Sequence, residues 1–449
     1  MAPPPRTRLS VRPGPPLSGS FIPPGDKSIT HRAYLLGLVA VGETVVEGAN
    51  PGADCEATLA CAEALGAVVT RRDGAVLIKG RAGALRKPDR VLDCGNSGTT
   101  LRLLAGILAG QPFRSTLDGD ASLRRRPVAR IIEPLRAMGA QIQAAEGDRV
   151  PPVTILGSLP RAIDYRAEIA SAQVASCVLL AALLAPGRTR VTLPMAARDH
   201  TERMLAMFGI SVTSVRSSPG PGISLMVHGP VTPIATRIRV PGDFSAAAFF
   251  LAGAAARAGS SVTVVNVNLN PTRTGLLPVL ERMGAEVEQT GVREESGEPI
   301  GDVTVRGPTR LRATSIAPEE VPFMIDEIPA WVIAASAAEG TSELRGAAEL
   351  RVKESDRLRV LATNLDRLGI ACVEYPDGLA VTGGPISGGV VSAADDHRVA
   401  MAMALLGTRA AGPLTIEEAG GIATSFPGFA ATLTELGGDL VDSLMVSRP

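Results

Sequence analysis

Apolar segments that end in glycine recur six times along the 449 residues of the chain. In each case the pattern predicts a helix that ends in Leu, Met or Phe, then the glycine, then a short strand. A residue just past a helix C-terminus often adopts a positive φ, which glycine does without strain. The near-even spacing predicts a repeat architecture. The glycines are Gly66, Gly139, Gly209, Gly284, Gly369 and Gly437, at intervals of 73, 70, 75, 85 and 68 residues.

A second class of predicted helix is rich in alanine and nearly free of charge. Because a helix that is apolar on every side must be buried, each repeat combines one buried helix with one partly exposed helix. With the intervening strands, each repeat reads as β-α-β-α-β-β, so we predict an α/β fold of six such repeats. The segments predicted to be buried are 35–40, 100–109, 174–185, 246–256, 330–338 and 399–406.

The first and fourth repeats open on the same Pro-Gly-Asp turn, at 24–26 and 241–243. This recurrence predicts two domains of three repeats, an N-terminal domain over 22–236 and a C-terminal domain over 1–21 plus 237–449. The segment before Phe21 is assigned to the C-terminal domain because the last repeat has no strand partner of its own at the chain end. We expect a two-strand hinge near residue 21 and at 237–241, with the active site in the interdomain cleft.

The composition excludes several classes of function. The chain has 45 basic and 45 acidic residues and only 3% aromatic residues, which argues against a nucleic-acid-binding protein. No uncharged apolar run reaches the roughly 18 residues of a membrane span, and the first 20 residues have no apolar signal core. Five scattered cysteines without a C-x-x-C motif indicate reduced thiols, as in a cytoplasmic protein. The four histidines are far apart in the sequence, so we expect no metal site.

The first Pro-Gly-Asp turn has the chemistry of an anion-binding site. Lys27 and Ser28 follow it in the first turn of a predicted helix, where free N–H groups favour an anion. Arg32 lies four residues after Ser28 and shares its helix face. The stretch is not a Walker loop, because the upstream glycine of that motif is missing. Taken alone, it is more typical of a capped helix whose charges are solvated.

Ten short motifs are distributed along the chain. They lie at residues 24–32, 95–99, 126–127, 170–173, 198–202, 270–274, 324–327, 350–357, 396–398 and 425–427. Together, and in this order, they resemble the 5-enolpyruvylshikimate-3-phosphate synthases of the enolpyruvyl transferase family, most closely the bacterial class II type. The resemblance covers essentially the whole chain. It implies a two-domain inside-out α/β barrel of the β-prism kind, with three βαβαββ repeats per domain and shikimate 3-phosphate on the N-terminal side.

The resemblance also implies a reaction. The 5-hydroxyl of shikimate 3-phosphate receives the carboxyvinyl group of phosphoenolpyruvate, and phosphate is released. This is the activity of a 3-phosphoshikimate 1-carboxyvinyltransferase, which serves chorismate and aromatic amino acid biosynthesis and is the target of glyphosate. No metal or organic cofactor is implied, and we expect a monomer whose partners are the two small-molecule substrates.

The same resemblance implies a set of residues for each substrate. From spacing alone, two of them have other interpretations: Arg126 lies in a basic run compatible with solvation, and Arg357 follows Glu354 at the spacing of a surface ion pair. The residues implied for shikimate 3-phosphate are Lys27, Ser28, Arg32, Ser171, Ala172, Gln173, Arg198, Asp326 and Lys353. Those implied for phosphoenolpyruvate are Lys27, Gly98, Arg126, Gln173, Arg357 and Arg398.

Asp326, Glu354 and Lys27 are the catalytic candidates. Asp326 lies in the largely apolar stretch 321–329, where a carboxylate is either a helix cap or functional. With the resemblance, we assign Asp326 to orienting and deprotonating the attacking hydroxyl. Glu354 and Lys27 are assigned to proton transfer at the methylene carbon and the leaving phosphate, and the division of these steps between them stays open.

Two positions depart from the family pattern, and one follows it. Some members have lysine where Thr424 stands, and many have asparagine where Glu349 stands. Gly98 matches a position at which alanine accompanies glyphosate tolerance, so the glycine here predicts ordinary sensitivity.

The sequence argues against two other functions. The sister enzyme that transfers enolpyruvate to UDP-N-acetylglucosamine usually has a cysteine just before the position of Arg126, and residues 119–125 contain none. It also has Lys-Asn where Lys27 and Ser28 stand. A non-catalytic scaffold of the same fold would not need Lys27, Asp326, Glu354 and Arg398 all in register.

Overall fold

The computed structural model describes residues 6–218, 220–441 and 445–446, so the ends of the predicted C-terminal domain, 1–5 and 447–449, lie outside the described residues. The chain forms two units. Unit one comprises Met1–Pro24, Pro241–Arg293 and Pro299–Pro449, and unit two comprises Gly25–Val240 and Glu294–Glu298. Each unit has its own hydrophobic core.

Apart from the four-residue segment Ala145–Asp148, the helices fall into the two classes that the sequence predicts, one buried and one partly exposed. Short 3-10 turns at Leu123–Arg125, Val321–Phe323, Ala348–Val352 and Ala419–Thr424 precede several of them. The helices are α1 (Lys27–Val39), α2 (Ala53–Ala64), α3 (Gly98–Ala109), α4 (Ala129–Ala137), α5 (Ala145–Asp148), α6 (Ala172–Ala182), α7 (His200–Met207), α8 (Phe244–Ala255), α9 (Leu276–Arg282), α10 (Ile328–Ala335), α11 (Arg357–Arg367), α12 (His397–Gly407) and α13 (Phe429–Glu435).

The alanine-rich helices form the centres of the two cores, which confirms the prediction made from their uncharged sequences. Helices α1, α3 and α6 belong to the core of unit two, and α8, α10 and α12 to that of unit one. Every residue of α8, α10 and α12 is buried. Because these helices are apolar on every side, only their ends can carry polar chemistry.

The partly exposed helices end as the repeat predicts. Helices α2, α4, α7, α9, α11 and α13 are each followed by one of the six repeat glycines, whose φ angles lie between +79° and +109°. An L-residue with a side chain rarely adopts this conformation, so glycine is required at each position. A strand then begins within a few residues of the glycine.

Within the described residues, the strands form six four-stranded sheets and one two-stranded ribbon. The strands are β1 (Arg6–Thr7), β2 (Leu9–Arg12), β3 (Ser18–Phe21), β4 (Glu43–Glu47), β5 (Val68–Arg72), β6 (Ala75–Lys79), β7 (Leu92–Asp93), β8 (Arg114–Asp118), β9 (Gln141–Ala144), β10 (Val150–Leu156), β11 (Asp164–Arg166), β12 (Gly187–Leu193), β13 (Thr213–Arg216), β14 (Ile223–Gly229), β15 (Arg237–Arg239), β16 (Ser261–Asn268), β17 (Glu286–Glu295), β18 (Glu298–Arg306), β19 (Ser315–Ile316), β20 (Thr341–Leu344), β21 (Cys372–Tyr375), β22 (Gly378–Thr382), β23 (Gly389–Ser392), β24 (Leu414–Glu417), β25 (Asp439–Val441) and β26 (Met445–Val446). Strands β1 and β26 form the ribbon, and the sheet orders are β15-β4-β6-β5, β7-β8-β10-β9, β11-β12-β14-β13, β17-β18-β16-β3, β19-β20-β22-β21 and β23-β24-β2-β25. In each four-stranded sheet one outer strand runs parallel to its neighbour, and the two inner strands are antiparallel.

The sixth sheet contains a strand from the other end of the chain. In the first five sheets, a repeat supplies both inner strands itself. In the sixth, β2 pairs antiparallel with β24 on one side and with β25 on the other. The N-terminal strand β2 therefore occupies the inner position that the last repeat does not fill.

Among the described residues, no helix combines the length and the apolarity that a membrane span requires.

A glycine in α3 allows two buried helices of unit two to pack closely. A methyl group on Gly106 would overlap the carbonyl oxygen of Cys177 in α6 and lie 3.0 Å from its carbonyl carbon. We expect Gly106→Ala to lower the free energy of unfolding by about 1–3 kcal/mol, because backbone atoms cannot move aside cheaply. Urea unfolding monitored by circular dichroism measures this. Gly384→Ala is the matched control, because it adds the same methyl group where no atom lies within 4 Å. Equal stability of the two variants would contradict the close packing of α3 against α6.

Candidate active site

The predicted site residues lie at or just before the N-termini of helices. Asp26 caps α1 by accepting a hydrogen bond from the N–H of Ile29 at 3.0 Å. Ser97 and Ser171 cap α3 and α6 in the same way, and Asp396 caps α12. Free N–H groups and the helix dipole favour anions at these ends. The buried helices thus place N-termini that favour anions in both units.

In unit two, Arg32 joins helices α1, α6 and α7. Its side chain is buried and donates hydrogen bonds to Thr201 Oγ1 at 2.6 Å, to the carbonyl oxygen of Ser28 at 2.9 Å and to Ser176 Oγ at 3.0 Å. These three neutral oxygens orient the guanidinium. Lys27, on the same helix, forms an ion pair with Asp54 at 3.0 Å. Arg32 is therefore a fixed cation suited to a phosphate.

A second arginine of unit two, Arg102, links three residues implied for phosphoenolpyruvate. It donates to Gln173 Oε1 at 2.7 Å and to the carbonyl oxygen of Pro127, next to Arg126, at 2.9 Å. Its Nη1 also approaches the carbonyl oxygen of Gly98 at 3.5 Å. Arg102 is only 4% exposed and lies within α3, a segment whose sequence is otherwise free of charge. Sequence reasoning missed it, and the one arginine of that apolar helix was the signal that could have identified it.

Arg126 is buried, unlike its neighbours in the basic run. It is 6% exposed and donates to Asn96 Oδ1, whereas Arg124 is 57% exposed and pairs with Asp118. The interpretation of Arg126 as one of several solvated charges therefore does not hold.

The remaining unit-two residues are partly buried. Ser28 lies in the first turn of α1, and Ala172 and Gln173 lie in the first turn of α6. Ser171 caps α6, and Arg198 lies just before α7.

In unit one, Asp326 lies in a cluster of opposite charges. Its carboxylate is 3.4 Å from Arg357 Nη1, 3.7 Å from Lys353 Nζ and 3.9 Å from Arg398 Nη2. Arg398 also donates to the carbonyl oxygen of Asp326 at 2.9 Å. Five predicted residues come together here, since Arg357 additionally pairs with Glu354.

Arg357 connects the acidic groups of this cluster. Its Nε donates to Asp396 Oδ2 at 2.8 Å, and its side chain is 1% exposed. Burial acts to lower the pKa of Arg357, but the charges of Asp396, Glu354 and Asp326 outweigh it and raise that pKa above its ordinary value. Arg357 is thus a permanent buried cation rather than a surface ion pair.

The neighbouring lysine behaves differently. Burial lowers the pKa of Lys353, an effect that the carboxylate of Asp326 opposes and the charge of Arg357 reinforces. Lys353 therefore releases its proton more readily than an exposed lysine.

The two departures from the family pattern have different surroundings. Glu349, the first of them, acts on Lys353 and favours its charged form. The other departure, Thr424, donates its hydroxyl to the carbonyl oxygen of Gly421 at 2.7 Å and adds no cation.

The family model for EPSP synthase (3-phosphoshikimate 1-carboxyvinyltransferase) matches residues 11–433 of the chain. This chain belongs to the EPSP synthase family. A protein of Acidithiobacillus ferrooxidans named 3-phosphoshikimate 1-carboxyvinyltransferase is 49% identical over 433 residues, which cover 96% of this chain and 98% of that protein. A protein of Coxiella burnetii with the same name is 46% identical over 426 residues, covering 94% and 95%.

Solved structures of the family have the same fold. The structure of EPSP synthase from Acinetobacter baumannii matches with a TM-score of 0.84 and 42% sequence identity, covering 97% of this chain and all of that one. The resemblance inferred from the ten motifs is thereby confirmed, as is the mixed α/β fold class. Among the described residues, no group of three or more His, Cys, Asp or Glu side chains is placed to hold a metal ion.

Glu202, on α7 next to the Arg32 network, gives unit two a pH-dependent stability. Burial raises the pKa of Glu202 from 4.5 to about 7, helped by the charge of Asp199 and opposed by that of Arg32. A raised pKa means that the folded chain holds this proton more tightly than the unfolded chain. The stabilisation is therefore complete below pH 4.5 and is lost as the pH rises through 7.

We expect Glu202→Gln to remove this pH dependence. Between pH 5 and pH 8, the wild type should lose about 1–3 kcal/mol of unfolding free energy that the variant retains. Urea unfolding at both pH values measures the difference. Glu63→Gln, at an exposed position of α2, is the control and should follow the wild type; a Glu202→Gln curve parallel to that of the wild type would contradict the assignment.

Proposed function

We propose that this protein transfers the carboxyvinyl group of phosphoenolpyruvate to the 5-hydroxyl of shikimate 3-phosphate and releases phosphate. It is a 3-phosphoshikimate 1-carboxyvinyltransferase of chorismate and aromatic amino acid biosynthesis, as family membership over residues 11–433 supports. The observation that carries the chemistry is the placement of Asp326 beside Lys353, Arg357 and Arg398.

The reaction requires a base and an acid. As the hydroxyl oxygen bonds to C2 of phosphoenolpyruvate, the hydroxyl loses its proton and the methylene carbon C3 gains one. When the C2–O bond to phosphate then breaks, C3 returns its proton and the carboxyvinyl double bond is restored. We assign Asp326 to the hydroxyl, since its carboxylate is oriented by three cations. Glu354 and Lys27 are the groups proposed for C3 and the leaving phosphate.

The two substrates carry two phosphates and two carboxylates, which the buried cations suit. Arginine's planar fork binds such groups in a bidentate manner. The proposed phosphoenolpyruvate residues are Lys27, Gly98, Arg126, Gln173, Arg357 and Arg398. The proposed shikimate 3-phosphate residues are Lys27, Ser28, Arg32, Ser171, Ala172, Gln173, Arg198, Asp326 and Lys353.

We further propose that the enzyme acts as a cytoplasmic monomer. None of its five cysteines forms a disulfide, and four of them are buried, which fits a reducing compartment. Gel filtration with light scattering tests the monomer, and a mass of twice 46.3 kDa would overturn it.

Phosphate release tests the function directly. The purified protein is incubated with phosphoenolpyruvate alone, with shikimate 3-phosphate alone and with both. We expect release only with both substrates. Release with UDP-N-acetylglucosamine in place of shikimate 3-phosphate would indicate the sister reaction, and no release with either acceptor would indicate a non-catalytic scaffold.

Asp326→Asn should abolish most of the turnover. The amide cannot accept the hydroxyl proton, so we expect kcat to fall by about 10²–10⁴-fold with little change in folding. Initial rates of phosphate release and the urea midpoint measure the two effects. Asp366→Asn, at an exposed position of α11, is the matched control. Near-normal turnover of folded Asp326→Asn would remove this carboxylate from the mechanism.

Gly98→Ala should decrease glyphosate inhibition. The added methyl group would lie 2.7 Å from Arg102 Nη1 and 3.4 Å from Arg126 Nη1. The Arg102 guanidinium is the end of a flexible side chain, so it shifts and disturbs Gln173 and Arg126. We expect the glyphosate inhibition constant to rise by about 10-fold or more, from a wild type of ordinary sensitivity. Gly384→Ala is the control, and equal inhibition constants for wild type and Gly98→Ala would refute the idea.

A further inference from the structure

A buried polar network adjoins Asp326, and the proposed chemistry does not account for it. Arg273, Ser245 and Glu327 are 1%, 2% and 0% exposed. They come from three elements of unit one: the loop before α9, the first turn of α8 and the residue just before α10. The motifs at 270–274 and 324–327 contain two of these residues, and the proposed substrate and catalytic sets include neither.

The three side chains form one continuous chain of hydrogen bonds. Arg273 Nη2 donates to Ser245 Oγ at 2.6 Å, and the Ser245 hydroxyl donates to the carboxylate of Glu327. Asp243 holds the other side of this chain: its Oδ1 accepts from Arg273 at 3.2 Å and from the N–H of Ser245 at 2.7 Å. The position of the Glu327 side chain is therefore tied to the N-terminus of α8.

The peptide between Asp326 and Glu327 is held from two directions. Its carbonyl oxygen, that of Asp326, accepts from Arg398 at 2.9 Å, and its N–H, that of Glu327, donates to the carbonyl oxygen of Met324 at 2.9 Å. The Glu327 side chain enters the buried network, while the carboxylate of Asp326 lies among Lys353, Arg357 and Arg398. Moving Glu327 would move the residue proposed to be the base.

The loop that carries Arg273 also packs against the segment before Asp326. The N–H of Gly275 donates to the carbonyl oxygen of Phe323 at 3.2 Å. A methyl group on Gly275 would lie 3.0 Å from three atoms of Phe323, so the two segments touch along their backbones. This contact limits how far residues 321–325 can shift relative to the network.

The corresponding turn of unit two is used differently. There Asp26 also caps a helix, but Lys27 and Ser28 are only partly buried. In unit one the equivalent Phe244 and Ser245 are buried, and the serine is occupied by Arg273 and Glu327. Burying charged groups is unfavourable unless the geometry is well satisfied, so a network of this kind defines one arrangement of the segments that it joins.

We propose that Glu327 is a positioning residue which, through Ser245 and Arg273, holds the carboxylate of Asp326 at the hydroxyl that attacks phosphoenolpyruvate. The inference rests on the proposed function and deepens it. Glu327 itself touches no reacting atom.

Glu327→Gln tests the proposal, since the amide keeps the shape of the side chain and removes its charge. We expect kcat for phosphate release to fall by about 10–100-fold, because a small displacement of a reacting group has effects of this size. KM for either substrate should change less than about 3-fold, since the phosphate- and carboxylate-binding cations are not altered.

The pH profile separates positioning from a purely structural role. Asp326 faces three cations, Lys353, Arg357 and Arg398. Arg357 is shared with the carboxylates of Glu354 and Asp396. Glu327 faces Arg273 and Asp243 through the hydroxyl of Ser245. Removing the negative charge of Glu327 makes the Asp326 carboxylate harder to protonate. The acidic limb of the kcat profile should therefore move to lower pH by about 0.5–1.5 units.

Ser336→Ala is the matched control. Ser336 is a buried residue at the other end of α10, where its hydroxyl donates to the carbonyl oxygen of Ile333 at 2.7 Å. This variant should lose stability and keep both kcat and the acidic limb. Ser245→Ala, which removes only the bridging hydroxyl, should lower kcat in the same direction as Glu327→Gln and carries the test if that variant does not fold.

The outcomes distinguish the inference from the function. If Glu327→Gln folds and has the wild-type kcat and an unchanged acidic limb of the pH profile, the positioning role is overturned. If Glu327→Gln does not fold, a wild-type kcat in Ser245→Ala overturns it. A wild-type protein that releases no phosphate from the two substrates overturns the proposed function, and the inference with it.

Discussion

Six buried helices, whose charged residues lie only in their first two turns, determine where this protein can do chemistry. A helix that is apolar on every side is stable in water only when it is enclosed, so α1, α3, α6, α8, α10 and α12 offer just their ends to polar groups. Their N-termini carry free N–H groups, which caps such as Asp26 and Ser97 satisfy in part. The proposed substrate-binding residues are concentrated at these ends because the rest of each helix is committed to the core.

Around those ends, the chain holds its arginines in two ways. Arg32 and Arg102 donate hydrogen bonds to hydroxyl, amide and carbonyl oxygens, and these contacts orient their guanidinium groups. Arg357 is instead surrounded by Asp326, Glu354 and Asp396. The first kind of arginine is oriented by neutral oxygens, while the second also fixes the carboxylates of Asp326 and Glu354, which are proposed to exchange protons. A protein of zero net charge can thus contain regions with quite different local fields.

Features that repeat at short range were predictable from the sequence, and features formed across long separations were not. The six glycines and the buried helices follow from local rules of φ and periodicity, and the structure confirms both. Spacing alone did not decide whether Arg126 and Arg357 were buried, because burial depends on what packs over a residue. Arg102 meets Gln173 across 71 positions of sequence and Ser245 meets Glu327 across 82, and no local pattern encodes such contacts.

The place of β2 in the sixth sheet has a consequence for the order in which the chain folds. Apart from the short segment Glu294–Glu298, unit two is a continuous stretch, Gly25–Val240, and can fold while the ribosome is still synthesising the second half of the chain. Unit one cannot be completed at that stage, because Leu9–Arg12 must wait for β24 and β25 of the sixth repeat. Strand β2 thus joins a sheet that is finished only after β24 and β25 have been made, and until then its edges are open to pairing with another chain.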